Sequence, residues 1–369
     1  MIGIIINITD GCGGAERRLI RIFNRIALER NDIRLIIIGN ENSVDIIKEN
    51  YILGKLNFKE IVVLPRYRSL IKYLILQKHS ILLSVDLNIA TILINTIIKL
   101  KSGKTMTVLA NYYQAKNIKG SLIGALKLKV NDIRTKKNEI LIAYFAMKTI
   151  DYMDCLYPKY ETRLKEEFTN VKISITPNSF TDLEKFFPKK KKNLMVFSAA
   201  RLEAIKNPIL LAKAVELIQD EIRKHKYQIY IYGKGYQEKY INSFILDNKI
   251  EDILIMKGYS DMSKVLPQAK VFFSLQVDEN YPSQSMIEAI ASGCCIIATD
   301  VGDTSKIAKK EFSLLVENDK ESLAKGILVY LNEMDQCKIE INARKFAEKH
   351  LNIETSVNYF MKILNKLSD

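Results

Sequence analysis

Residues 194–233 read LMVFSAARLEAIKNPILLAKAVELIQDEIRKHKYQIYIYG, and their reading decides the fold. LMVFSAA (194–200) is an apolar run of strand length. NPILLAKAVELIQDEI (207–222) has helical periodicity, with proline near its start. YQIYIYG (227–233) returns to β-branched and aromatic residues and stops on glycine. Strand, helix and strand in that order make a βαβ unit, and uninterrupted apolar strands belong to a parallel sheet covered on both faces. The loop between, ARLEAIKNP, carries Arg201 and Lys206 at the C-terminal end of the first strand. Doubly wound sheets bind their ligands at that edge.

The same rhythm extends in both directions. Downstream, ILIMKG (253–258), KVFFSL (270–275) and CIIATD (295–300) read as further strands, and the tail as helices near 338–349 and 353–367. Upstream, IGIIIN (2–7), IRLIIIG (33–39), EIVVL (60–64), SILLSV (80–85) and TMTVLA (105–110) are spaced by helical stretches such as AERRLIRIFNRIALER (15–30). Between the two sets, TPNSFTDLEKFFPKKKKN (176–193) holds two prolines and four consecutive lysines, a boundary composition. The expectation is an α/β chain of two doubly wound, Rossmann-like parallel-sheet domains facing each other across a cleft. The first would span 1–180, the second 181–350, and a terminal helix 351–369.

The chain has 369 residues, 48% hydrophobic and 27% charged, which suits two globular cores. Lys and Arg outnumber Asp and Glu by 56 to 42, favouring anionic partners. Five scattered cysteines without CxxC spacing fit reduced, cytosolic thiols better than disulfides or a metal site. MIGIIINITDG lacks a basic leader and reads as a strand rather than a signal peptide. The longest apolar segment, 80–100, is interrupted by Asp86, Asn88 and Asn95 and reads as strand, turn and helix. Histidines are only His79, His225 and His350, too dispersed for a metal cluster or a triad. No DxD pair and no GxxxxGK[ST] loop is present, so no metal or cofactor is expected.

Several loops carry residues suited to an anionic ligand, each with an ordinary alternative. GCGGAER (11–17) places Gly13 and Gly14 between the first strand and helix, where backbone can approach a ligand or simply turn. Arg201 and Lys206 can converge on a diphosphate or stand as solvated surface cations. Gly233, Gly235 and Gly258 end strands, at a ligand edge or in plain turns. In ENYPSQSMIEAIASG (279–293), Ser285 and Glu288 have the spacing of a capping box. A helix starting nearer Ser283 would instead aim Glu288 at ligand hydroxyls. It would also turn the amides of Ser283, Gln284 and Ser285 toward a phosphate.

Taken together and in order, these segments resemble the family-four retaining glycosyltransferases of GT-B architecture. GGAER is similar to that family's N-terminal glycine loop, ITPNSF to its turn before the second domain, and ARLEAIKNP to its R-L-x-x-x-K-[GN] motif. YGKG resembles its G-x-G turn, SMIEAIASGCCIIATDVGD its L-E-A-M-A-x-G-x-P-V-I-A segment, and FSLLVENDKESLAKGI (312–327) the strand and helix beyond. The resemblance implies metal-independent transfer of a sugar from a nucleotide diphosphate sugar to a surface-glycan or lipid-linked saccharide. Arg201 and Lys206 would hold the diphosphate and Glu288 the ribose hydroxyls. Gly13 and Gly14 would close on the donor, and the amides of 283–285 would face phosphate or sugar. The terminal helix would cross back to the first domain. Two departures stand out. Asn280 occupies the position of the first acid of the family's E-x7-E, with Glu279 one residue early. The loop ANYYQAKN (110–117), with Asn111, Tyr112 and Tyr113, lacks the histidine many members carry.

Ten Lys or Arg stand against Asp132 and Glu139 in segment 97–140, which would lie in the acceptor domain. This suggests docking on an anionic membrane face from the cytoplasm, against the alternative of a solvated basic surface. The rival functions are a GT-B nucleotide-sugar epimerase, short of acid/base groups here, and a nucleotide-sugar-binding scaffold without turnover. A nucleic-acid partner would rest on charge alone and is not expected.

Overall fold

The strands fall into two sheets in which every recorded pairing is parallel. The structure is a computed structural model. It describes residues 1–8, 14–51, 55–110, 112–127, 137–177 and 179–368. Two units divide the chain: Met1–Pro177 with Glu354–Asp369, and Asn178–Ile353.

In the first unit, β1 (Ile2–Asn7), β2 (Ile33–Ile38), β3 (Glu60–Leu64), β4 (Ile81–Val85), β5 (Lys104–Leu109), β6 (Tyr152–Cys155) and β7 (Lys172–Ile175) form one sheet. Their order is β3-β2-β1-β4-β5-β6-β7. β1 and β2 are mostly aliphatic because helices cover both faces, and β2 is buried throughout, Arg34 included. Burying each such Ile contributes roughly 1.5–3 kcal/mol. β6 and β7 were not foreseen from sequence. They are four residues each, and YMDC and KISI carry polar residues in place of an aliphatic run.

The helix Ile353–Ser368 packs on this unit. Phe360 meets Phe23 with ring centroids 5.4 Å apart, and Glu354 takes a 2.8 Å ion pair from Arg25. The Tyr359 hydroxyl donates to Asp154, a carboxyl at the end of β6 that Thr176 also contacts. Asp154 is fully buried, and its carboxyl is pushed above the usual range by desolvation, opposed by the nearby Arg18 charge.

The second unit's sheet contains β8 (Leu194–Arg201), β9 (Gln228–Lys234), β10 (Leu254–Gly258), β11 (Val271–Ser274), β12 (Cys295–Thr299) and β13 (Ser313–Val316). The order β10-β9-β8-β11-β12-β13 repeats the winding of the first sheet. The βαβ reading of 194–233 thus holds, with β8 pairing β9 from Leu194↔Gln228 onward. Two Rossmann-like parallel sheets with their helices are the expected class. Among the described residues, no helix is long and apolar enough to cross a membrane. Cys155, Cys294 and Cys295 are buried free thiols.

Candidate functional site

In the second sheet, connections leave β8 toward β9 on one side, and β11 returns on the other. The switch point therefore lies between β8 and β11, and the loops that follow these two strands form the ligand edge. They are joined directly: the Val277 amide donates to the Ile205 carbonyl at 3.1 Å.

The Lys206 position follows from its neighbours in sequence. Ala204–Lys206 is one turn of 3-10 helix that ends on Asn207, in left-handed backbone at φ 53° and ψ 43°. Asparagine tolerates that conformation, and Pro208 then opens the helix Pro208–Leu217 at the position where its missing N–H costs nothing. The K-N-P triplet thereby fixes where the lysine side chain begins. Its ammonium donates to Gln276 Oε1 at 3.1 Å. Desolvation lowers its pKa, the Arg201 charge lowers it further, and Glu203 opposes both. Arg201 closes β8, pairs loosely with Glu203 at 3.4 Å and leaves 78% of its side chain exposed. Two cations with one loosely held acid make a local surplus of positive charge that an anion would relieve.

Gln276 was not picked out from sequence. The only available signal was its place two residues beyond β11 at the switch point. Its amide NH2 donates to Asn280 Oδ1, so it passes the Lys206 contact inward. Asn280 is 1% exposed, and its amide also exchanges hydrogen bonds with the Ser274 hydroxyl at 3.0 and 3.1 Å. The expectation of Asn280 as a ligand for a sugar gives way to a buried link between Ser274, Gln276 and Lys206. Glu279 is occupied as well. Its Oε1 accepts the amides of Asn280, Tyr281 and Asp303 at 2.9–3.0 Å. It sits so close to Gly302 that a Cβ there would lie 2.3 Å from Oε1, and Gly302 itself has φ +57°. This acid braces the loops after β11 and β12.

The helix Gln284–Ala291 removes the capping-box reading of Glu288. Its N-cap is Ser283, whose hydroxyl accepts the Met286 amide at 3.4 Å, so Ser285 and Glu288 do not form the capping box. The first intrahelical bond runs from the Ile287 amide to the Ser283 carbonyl at 3.0 Å. The amides of Gln284 and Ser285 precede it and belong to the helix's positive end. Glu288, half-buried on the second turn, accepts from Gln284 Nε2 at 3.2 Å.

The glycines separate. Gly233 and Gly235 are required by packing against the neighbouring strand and loop. A Cβ would come within 2.0 Å of the Ala199 carbonyl oxygen in one case and 2.5 Å of the Leu202 carbonyl oxygen in the other. Gly258, at φ +67°, ends the edge strand β10, two ladders or about 10 Å from β8, and is not gathered with Lys206. Gly14 is the first residue of the helix Gly14–Ile26, whereas Gly13 and Asn111 lie outside the described residues.

The chain is similar to known proteins in sequence and in fold. Residues 179–346 match the family model described as Glycosyl transferases group 1. The UDP-N-acetylglucosamine–peptide N-acetylglucosaminyltransferase GtfA subunit of Streptococcus agalactiae is 22% identical over 244 residues, covering 61% of this chain and 48% of that protein. The poly(glycerol-phosphate) alpha-glucosyltransferase of Bacillus subtilis is 27% identical over 168 residues, covering 44% of this chain and 24% of that protein. The chain thus spans about half or less of these curated relatives. Among solved structures, Anabaena HepE in complex with UDP superposes with a TM-score of 0.76 at 10% identity, over 99% of this chain and 100% of that one. WaaG, a glycosyltransferase involved in lipopolysaccharide biosynthesis, gives 0.66 at 12% identity, over 97% and 99%. The fold is GT-B, and residues 179–346, nearly the whole second unit, match the glycosyl transferases group 1 model.

Proposed function

We propose that the chain is a retaining glycosyltransferase of the family-four type. It moves a sugar from a nucleoside diphosphate sugar to a surface-glycan or lipid-linked saccharide, in the cytoplasm and without a metal. The observation that carries this reading is the pair Arg201 and Lys206 at the switch point of the second sheet, with Lys206 partly desolvated and aimed by Gln276. Glycosyl transfer breaks the bond between the anomeric carbon and the phosphate oxygen, so negative charge grows on the departing diphosphate. Cations already placed at that edge stabilise the charge without reorganising. The acceptor hydroxyl attacks from the face the diphosphate leaves and gives its proton to a departing phosphate oxygen, so configuration is kept and no carboxylate nucleophile is needed. Gln284 and Ser285 amides face the phosphates, and Glu288 accepts the ribose hydroxyls. Asn280 acts on the donor through Gln276 rather than by contact.

A panel of nucleotide sugars tests this reading, led by UDP sugars because HepE binds UDP. Thermal shift and slow donor hydrolysis would be read on the intact chain, with Lys206→Ala and Glu288→Gln as controls. Binding and hydrolysis that both variants weaken are expected. Binding with no turnover on any acceptor would leave a scaffold, and no binding at all would remove the reading. We propose further that the basic segment 97–140 docks on an anionic membrane face. Flotation with liposomes containing phosphatidylglycerol, lost in high salt, is the expected result, and absence of flotation at any salt contradicts it.

A further inference from the structure

The first unit contains a feature that the donor reading does not use. A groove of about 460 Å³ opens on it, within the roughly 300–1,000 Å³ span of small-molecule sites. Its walls are Ile71 of the helix Tyr67–Leu76, Ile89 and Leu93 of the helix Ile89–Leu100, and Ile142 of the helix Lys137–Met147. Tyr67 and Asn88 also line it. Tyr67 stands three residues beyond β3, and Asn88 three beyond β4. The groove therefore begins at the C-terminal edge of the first sheet, the edge at which doubly wound sheets take ligands.

Its chemistry suits an aliphatic occupant better than a sugar. The acceptor atoms of its two polar residues are engaged: Asn88 Oδ1 caps the helix by accepting the Thr91 amide at 3.0 Å, and the Tyr67 hydroxyl accepts from Asn7 at 3.3 Å. What the walls present is aliphatic, and much of it faces solvent: Ile89 is 59% exposed and Leu93 48%. The Lys101 ammonium donates to the carbonyls of Leu74, Ile75 and Gln77 at 2.7–3.0 Å, which fixes the C-terminal ends of two wall helices to each other. One wall helix brings exposed cations with it: Arg66 is its N-cap residue. Arg68 and Lys72 lie on the wall helix itself.

The geometry points to the aliphatic chain of a phosphate-bearing, lipid-linked acceptor as the occupant of this groove. The chain lies between Ile71, Ile89, Leu93 and Ile142, and Arg66, Arg68 and Lys72 of the wall helix take the phosphate. This rests on the transferase reading and narrows its acceptor from any surface saccharide to one carried on a hydrocarbon chain.

The test is calorimetric titration of the intact protein with hexyl, octyl and decyl phosphate below their micelle concentrations. Affinity should rise by about fourfold per added methylene until the groove is filled. Leu93→Asp places a carboxylate in the wall at an exposed position and should flatten that series while UDP-sugar binding to the second unit is unchanged. Ile89→Asp, at the helix's first turn where an acid is favourable, should do the same. An affinity independent of chain length, as a peptide- or polymer-binding surface would give, overturns the inference. So does a chain-length series that survives in both variants. If alkyl phosphates bind in the expected series but no nucleotide sugar binds, the groove stands as a lipid site and the transferase reading fails alone.

Discussion

The two sheets share one winding and differ at their C-terminal edges. In the second unit that edge is polar and committed: Lys206, Gln276, Asn280 and Ser274 form one hydrogen-bonded line from the loop into the core. In the first unit the corresponding edge opens into aliphatic walls, one of them the helix that carries Arg68 and Lys72. One topology thus supports a polar, cationic edge and an apolar one, and the difference lies in a few loop and first-turn residues.

The largest expected effect of breaking this contrast is at Lys206. Lys206→Ala should slow donor turnover by ~100–1,000-fold, because a charge placed for the transition state is lost. Steady-state hydrolysis of the best donor checks it, and the donor-independent binding of alkyl phosphates should not change. Glu288→Gln comes next. It removes the charge from a carboxylate expected to accept ribose hydroxyls and should weaken nucleotide binding by roughly 10–100-fold, as for a hydrogen bond to a charged group. Calorimetry with the free nucleoside diphosphate measures it.

Smaller effects sharpen the line behind Lys206. Gln276→Ala removes the acceptor of the ammonium and should lower kcat about tenfold, with KM moving less, if placement is what Gln276 provides. Gln276→Glu sets an anion beside Lys206 and should raise its pKa. The pH profile carries the sign. The folded-state pKa of Lys206 lies below the usual 10.5 because of burial and Arg201. The charged form binds the diphosphate, so donor affinity is full at neutral pH and falls as pH rises through that lowered value. Lys206→Arg should abolish this alkaline fall, since guanidinium stays protonated. Asn280→Ala leaves the Ser274 hydroxyl and the Gln276 amide short of partners in a buried place. It should cost about 1–3 kcal/mol of stability in thermal or urea unfolding, with only an indirect effect on turnover.

The aliphatic runs made the fold legible. A strand such as IRLIII has no reading but a covered parallel strand, and 194–233 displayed a whole βαβ unit. β6 and β7 escaped because four residues containing Asp, Lys or Ser carry too little periodicity to separate them from loop. Arg201, Lys206 and Glu288 stood out as candidates from motif order. Gln276 was not, since a glutamine beyond a strand has no pattern of its own. Asn280 was visible as a departure, but which way it pointed was fixed by Ser274 six residues earlier, across a turn that sequence does not draw. Gly233 shows the converse: a glycine expected at a ligand is held there by the Ala199 carbonyl.

The central claim is that Lys206, held by Gln276, takes up charge on a departing nucleoside diphosphate. Pre-steady-state hydrolysis of the best-binding UDP sugar by the wild-type chain and Lys206→Ala tests it most directly. The account predicts a chemical step slowed ~100-fold or more, with donor dissociation changed far less. Equal chemical rates in the two proteins, or no nucleotide sugar that binds either, would contradict it.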